Sequence, residues 1–297
     1  MHFAWPCLSP AVRRFARMCF GLSLLMFAVP PSARAQLNWE GETGAVITPF
    51  AYTSASPTRG FGHPELAFHY LNGGPVLGSD LRTSITVGFL KIGEIGYTRV
   101  FNAEGNTPPS ALFANGFNTF NIKFRLVPEN AHKLSFIPAI AAGSVVRTQV
   151  RRVTEVTERE NTTCPDFFLV ATKSISQLPV PIVLNLGGRL TNSSMMGIAA
   201  NSPGWNLKAF GAAAFMVNAP ARAKLLLGAE FAQQPHQLKE VPGVTVPTTL
   251  SYFLRWQTGS DHPLNLDLAL LQLAGKIGPG FDLQARHQFT IGVSYRF

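Results

Sequence analysis

From Thr43 onward, apolar and polar residues alternate in stretches of roughly ten, separated by clusters of Gly, Pro, Asn and Ser. In one stretch Phe120, Ile122, Phe124 and Leu126 interleave with Thr119, Asn121, Lys123 and Arg125. In another Leu250, Tyr252, Leu254 and Trp256 interleave with Ser251, Arg255 and Gln257, and in a third Leu264, Leu266, Leu268 and Leu270 enclose Asn265 and Asp267. A period of two places successive side chains on opposite faces of a strand. The pattern predicts strands near residues 64–72, 81–89, 93–103, 117–127, 134–147, 166–176, 182–193, 206–217, 222–232, 249–258, 263–272 and 286–297.

The connections between these stretches take turns in length. Short ones fall at 90–91, 128–133, 177–180, 218–221 and 259–262, and longer ones at 104–115, 150–165, 194–205, 233–247 and 274–284. A sandwich has no reason to keep that order. A transmembrane barrel with tight turns at one end and long loops at the other does. The expectation is therefore an all-β, antiparallel, up-and-down transmembrane barrel of about twelve strands, with twelve to fourteen as the range. Residues 43–53 form a further apolar stretch that would break an even count. They are read with the rest of 36–60 as a periplasmic or lumen-entering segment ahead of a barrel spanning 61–297.

Composition agrees with alternation. Hydrophobic residues make up 46% of the 297 and charged residues 14%, yet after residue 35 no run is long and apolar enough for a spanning helix. Residues 1–35 hold Arg13, Arg14 and Arg17, then an apolar stretch, then Ala33-Arg34-Ala35. This is the three-part pattern of a cleaved signal peptide, with Gln36 as the mature start. Four of the 25 basic residues fall in that leader, leaving a modest positive balance that is spread over the segments rather than clustered. Nucleic acid is not the expected partner. Outside the leader the chain has one cysteine, Cys164, in a polar stretch that reads as a loop, so no intrachain disulfide is expected.

The final segment closes with His287, Phe289, Ile291, Val293, Tyr295 and Phe297 on one face and Arg286, Gln288, Thr290, Ser294 and Arg296 on the other. It resembles the C-terminal strand of bacterial outer-membrane barrels. That resemblance implies that Tyr295 and Phe297 are read by the barrel assembly machinery, and that the chain lies in the cell outer membrane among lipid and lipopolysaccharide. The stretches WEGETG (Trp39–Gly44), HYLNGGPVLG (His69–Gly78), YTRVF (Tyr97–Phe101), RTQVR (Arg147–Arg151), AQQPH (Ala232–His236), AGKIGPG from Ala274 and ARHQ up to Gln288 are similar to those of an uncharacterised family of exported bacterial barrel proteins. The likeness implies an outer-membrane barrel and brings no catalytic residues with it.

In such a barrel the polar face lines the lumen. The expected lining is Arg82, Lys123, Arg125, Lys173, Arg189, Lys208, Arg222, Lys224, Arg255, Arg286 and Arg296, with Glu65, Glu94, Glu230 and Asp267 as the acids. If the lumen is open, this surplus of cations favours anions. If it is plugged, for which the first mature residues are the candidate, the same groups pair internally. The sequence offers no HExxH motif, no helix-opening glycine loop and no paired carboxylate beside His287, so no catalytic residue, metal or cofactor is expected. The leading functional expectation is a passive or weakly anion-preferring channel for small solutes. A non-conducting envelope barrel that binds glycan or lipopolysaccharide through residues such as Arg151 and Arg152 is the second. A lipid-active enzyme using His287 is the third.

Overall fold

The computed structural model describes residues 36–103, 105–107, 116–153, 159–235, 245–259, 263–276, 278 and 280–297. The leader and the centres of three long loops lie outside the described residues. A two-stranded ribbon comes first, β1 (Gln36–Leu37) with β2 (Thr43–Gly44). Eleven consecutive barrel strands follow: β3 (Phe61–Asn72), β4 (Ser79–Phe89), β5 (Gly93–Ala103), β6 (Phe117–Val127), β7 (Ala139–Val153), β8 (Arg159–Ile175), β9 (Ile182–Ser193), β10 (Asn201–Asn218), β11 (Lys224–Ala232), β12 (Thr249–Gln257) and β13 (Leu264–Gln272). A small hairpin, β14 (Ala274–Lys276) with β15 (Asp282–Ala285), precedes the last barrel strand, β16 (Gln288–Arg296). The only α-helical piece among the described residues is the single turn α1 (Gly74–Leu77) between β3 and β4.

Each barrel strand pairs antiparallel with its neighbours, and β16 closes the ring on β3 with Arg296 opposite Glu65 and Thr290 opposite Leu71. The fold is thus a closed, twelve-stranded antiparallel barrel. Closure leaves no exposed sheet edge. Outward positions are apolar, with Leu266, Leu268 and Leu270 each 44–55% exposed. Inward neighbours on the same strand, Asn265 and Asp267, are 1% exposed.

The tight turns follow from local backbone chemistry. Leu90 and Lys91 both take positive φ, 53° and 59°, the conformation of a two-residue hairpin whose twist matches its flanking strands. Asn130, His132 and Lys133 are also left-handed. They lengthen that connection, so β7 starts at Ala139, beyond Pro138, rather than at 134.

Several boundaries move in the long loops. β7 and β8 reach to Val153 and back from Arg159, so most of the expected loop 150–165 is paired strand. Cys164 is consequently no loop thiol. It lies buried on β8 among Val100, Phe117, Val150 and Ala200. β16 begins at Gln288 because His287 has φ 58° and breaks the extended run.

Candidate functional site, the filled lumen

Residues 36–54 run inside the barrel, and nearly all of them are buried. The segment carries two acids, Glu40 and Glu42, and no base. Its apex is a tight loop in which Asn38 Oδ1 accepts from the amides of Glu40 (2.9 Å) and Glu42 (3.0 Å). Gly41 makes this loop possible. Its φ is +78°, and a Cβ there would sit 2.5 Å from Thr98 Oγ1 on the wall. The Gly41 carbonyl accepts from Thr86, and the Glu40 carbonyl from Asn121 Nδ2 at 2.7 Å.

The apex carboxylate enters a charge cluster at mid-wall. Arg147 Nε donates to Glu40 at 2.8 Å, Arg147 Nη2 to Asp166 at 2.9 Å, and Arg189 reaches Glu40 at 3.4 Å and Asp166 at 3.3 Å. Burial raises the Glu40 pKa, but the two guanidiniums outweigh it and hold the carboxyl below its usual range. Glu42 has no such clasp. Neither of its oxygens has a hydrogen-bond partner among the described residues, and burial pushes it up to about 8 against the pull of Lys123.

Beyond the apex the wall binds the backbone of the segment. Glu94 accepts from the amides of Thr43 (2.9 Å) and Ser54 (2.8 Å), and is itself paired with Lys123 at 2.8 Å. Lys123 also donates to the Thr43 carbonyl at 2.8 Å. Arg255, fixed by Asp267 at 2.8 Å, donates to the carbonyls of Gly44 (2.8 Å) and Ala45 (3.1 Å). Glu230 accepts from three successive amides, Val46, Ile47 and Thr48, at 2.9–3.1 Å, and from the Thr48 hydroxyl at 2.8 Å. Successive amides of this kind form a concave anion nest.

Both limbs run back toward the short-turn end. Gln36 donates to Asp267, three residues into β13, and Ser54 lies on Glu94, the second residue of β5. From there the chain leaves the lumen, with the Gly60 carbonyl accepting from Leu90 at the first tight turn.

The opposite end is also covered. Met195 and Met196, in the β9–β10 loop, are 1–2% exposed, and Gly197 with φ +92° lies against Arg147 where a Cβ would be 2.5 Å from Cδ. Leu271 and Leu273, just ahead of the β14–β15 hairpin, and Leu283 within it are fully buried. The recess between Arg189, Lys208, Asp166 and Phe210 measures about 10 Å³, room for about one water.

The expected lining residues fall into three groups. Arg82, Glu94, Lys123, Arg189, Glu230, Arg255 and Asp267 are buried on the inner face, as is Glu65. Arg82 pairs with Asp80 at 2.8 Å and lies 4.8 Å from the ring centre of Trp39. Lys208, Lys224 and Arg296 share inward register, opposite Arg189, Gln257 and Glu65, with Lys224 and Arg296 at the short-turn end. Arg125 sits at the short-turn end, donating to the Lys91 carbonyl.

Three residues depart from the expectation. Lys173 shares its face with the exposed Leu169, because β8 sends Asp166, Phe168 and Thr172 inward; it pairs with Glu129 at 3.2 Å. Arg286 lies before β16 and pairs with Asp282 at 3.1 Å, half exposed. Arg222 sits in the β10–β11 turn with φ 60°. Arg147, Asp166 and Asp80 went unrecognised as lining residues, although Arg147 and Asp166 keep the parity of Val145 and Phe168. The role of Glu40 had one available signal: with Glu42 it is one of two acids in a segment that carries no base.

Tyr295 and Phe297 lie at the chain's end on the outer face, their rings edge to face at 5.1 Å, and the Phe297 amide donates to Pro64. Arg151 and Arg152 lie on β7 opposite Asn161 and Glu160. In AQQPH, Ala232 ends β11, Gln234 is buried, and His236 lies outside the described residues. His287 is exposed in the turn before β16. Among the described residues no group of His, Cys, Asp and Glu is arranged to hold a metal ion.

No protein-family model matches the chain, and no curated protein does. Solved structures similar to it include an outer-membrane channel from Pseudomonas putida F1 (11% identity, 91% of this chain and all of that one, TM-score 0.49). A KdgM porin in complex with disordered oligogalacturonate matches at 7% identity over 78% of this chain and 99% of its own, with a TM-score of 0.43. The β domain of the Bordetella autotransporter BrkA matches at 12% identity over 80% and 99%, with a TM-score of 0.39. All three are β-barrel likenesses below a TM-score of 0.5, and they carry nothing to this chain's activity.

Proposed function

We propose that this chain is an outer-membrane barrel, exported by its N-terminal leader, that forms a channel for small solutes held shut by its own residues 36–54. The carrying observation is the commitment of inward-facing charges to that segment. Glu94, Lys123, Arg147, Arg189, Glu230 and Arg255 each bind its backbone or its acid. In an open pore such groups would face water and solute. The outward face supports the membrane setting: an apolar surface with aromatic residues toward both ends of the strands is what lipid requires.

A weak preference for anions follows from the same contacts. With residues 36–54 out of the lumen, Arg147 and Arg189 would keep one acid, Asp166, between them, and a net positive constriction favours anions. Planar-bilayer recording tests this reading. The chain from Gln36 should be nearly silent, and a variant lacking residues 36–54 should show conductance steps with an anion-selective reversal potential. A folded deletion variant without steps would refute the channel. That silence would favour the second reading, a non-conducting envelope barrel, to which the filled lumen also lends support.

A further inference from the structure

The outer face carries an anomaly. Among the described strand side chains, the outward positions of the barrel hold two charged residues, Arg99 and Lys173. Lys173 is neutralised at the short-turn end by Glu129, at 3.2 Å. Arg99 is paired with no carboxylate among the described residues. It lies on the outward row of β5 with Ile95, Tyr97 and Phe101, while Glu94, Thr98 and Val100 of the same strand are fully buried inward.

Its neighbours hold the guanidinium in a fixed polar patch. Arg99 Nη1 donates to Asn118 Oδ1 at 3.1 Å, which also accepts from the Tyr97 hydroxyl at 2.8 Å. Asn118 Nδ2 in turn donates to Gln149 at 2.9 Å. The Phe101 ring backs the cation, with Cζ 5.3 Å from its centre. Asn118 occupies one of the five donors a guanidinium offers.

Height along the barrel fixes what this cation meets. Arg99 stands opposite Thr83, one outward position below Phe101, which stands opposite Leu81 and so in register, across β4, with Tyr70. Tyr70 pairs with Phe289 at 6.1 Å, and these aromatic residues form the girdle near the long-loop end. Girdles of this kind sit at headgroup level, and the long-loop end faces outward. An unpaired arginine in the hydrocarbon would be costly, whereas at headgroup level it meets phosphate.

We propose that Arg99, positioned by Asn118 and Phe101, binds a phosphate of lipopolysaccharide in the outer leaflet. This rests on the outer-membrane reading above. The test uses the chain from Gln36 refolded in neutral detergent and titrated with intact lipopolysaccharide. Lipopolysaccharide stripped of its phosphates, phosphatidylglycerol and inorganic phosphate serve as comparison probes. Arg99→Gln should weaken binding of intact lipopolysaccharide about tenfold or more, the usual worth of a charge-assisted hydrogen bond. Arg99→Lys should retain most of the binding, and Lys173→Gln should leave it unchanged. Dephosphorylated lipopolysaccharide should bind wild type and Arg99→Gln equally weakly. Circular dichroism and heat-modifiable migration establish that each variant is folded. Wild-type affinity in folded Arg99→Gln would overturn the site, as would equal affinity for phosphatidylglycerol or inorganic phosphate. Cell fractionation separates the two claims: absence from the outer membrane refutes the location, while presence there with Arg99-indifferent binding refutes only this site.

Discussion

Along β12, Leu250, Tyr252 and Leu254 face outward, while Ser251, Phe253 and Arg255 face inward and are no more than 4% exposed. The two rows share one backbone and answer to different solvents. The outer row needs only to be apolar, since lipid tails make no directional demand and one leucine substitutes for another. The inner row is specific: Arg255 has one carboxylate, Asp267, and two carbonyls, Gly44 and Ala45, each within 3.1 Å. A buried charge is tolerated only when its partners are complete. The outer face is therefore sensitive to the class of residue, and the lumen to the individual residue.

Substitutions on the two faces should separate these regimes. The largest effect is expected inside. Arg147→Ala strands Glu40 and Asp166 without their shared guanidinium and should cost about 3–5 kcal/mol in reversible unfolding, the range for breaking a buried pair. On the outer face the comparable injury requires a charge: Leu268→Arg, at the middle of β13, should cost about 2–4 kcal/mol in lipid. A cost there as low as that of a neutral substitution would contradict the membrane-facing assignment.

Glu230→Gln sharpens the comparison within the lumen. It keeps the shape but loses the charge that accepts three amides and points an N–H at them, which should cost about 1–3 kcal/mol. The loss should appear locally, as faster labelling of an Ile47→Cys probe by an impermeant thiol reagent, with the barrel still folded.

The smallest effect is a pH dependence. Glu42 is raised from 4.5 to about 8 in the folded lumen. A raised carboxyl contributes stability that is complete below its unfolded pKa and is lost as pH rises through the folded one. Seating of residues 36–54 should be tightest below about pH 4.5, loosen by about tenfold or less per pH unit between about pH 4.5 and 8, and change no further above that. Glu42→Gln should flatten the pH profile of Ile47→Cys labelling, and an unchanged slope would exclude Glu42 as its source.

The barrel was legible because its signal is local. Each strand declares its two faces within ten residues, and the turns at Leu90-Lys91 and around Asn130 punctuate them. Reading failed where the local signal was ambiguous. Around Lys173 the run Phe167-Phe168-Leu169-Val170 is apolar on both faces, so one inward Phe168 was enough to reverse the expected facing. At Arg286 the alternation continues on paper, but the left-handed His287 interrupts it. Cys164 was misjudged because the polar residues around it belong to a strand that projects past the apolar belt.

By itself the amino-acid sequence determined the all-β barrel architecture, the alternation of short and long connections, and most of the residues that carry charge toward the inside. Those features depend on period and on turn chemistry, which act between neighbours. Only the tertiary structure decided what the inward charges do. Glu40 finds Arg147 across 107 residues, and Glu230 finds Ile47 across 183. No periodicity encodes such pairings. They form when ring closure brings twelve strands around one segment and leaves each buried charge with a single set of partners.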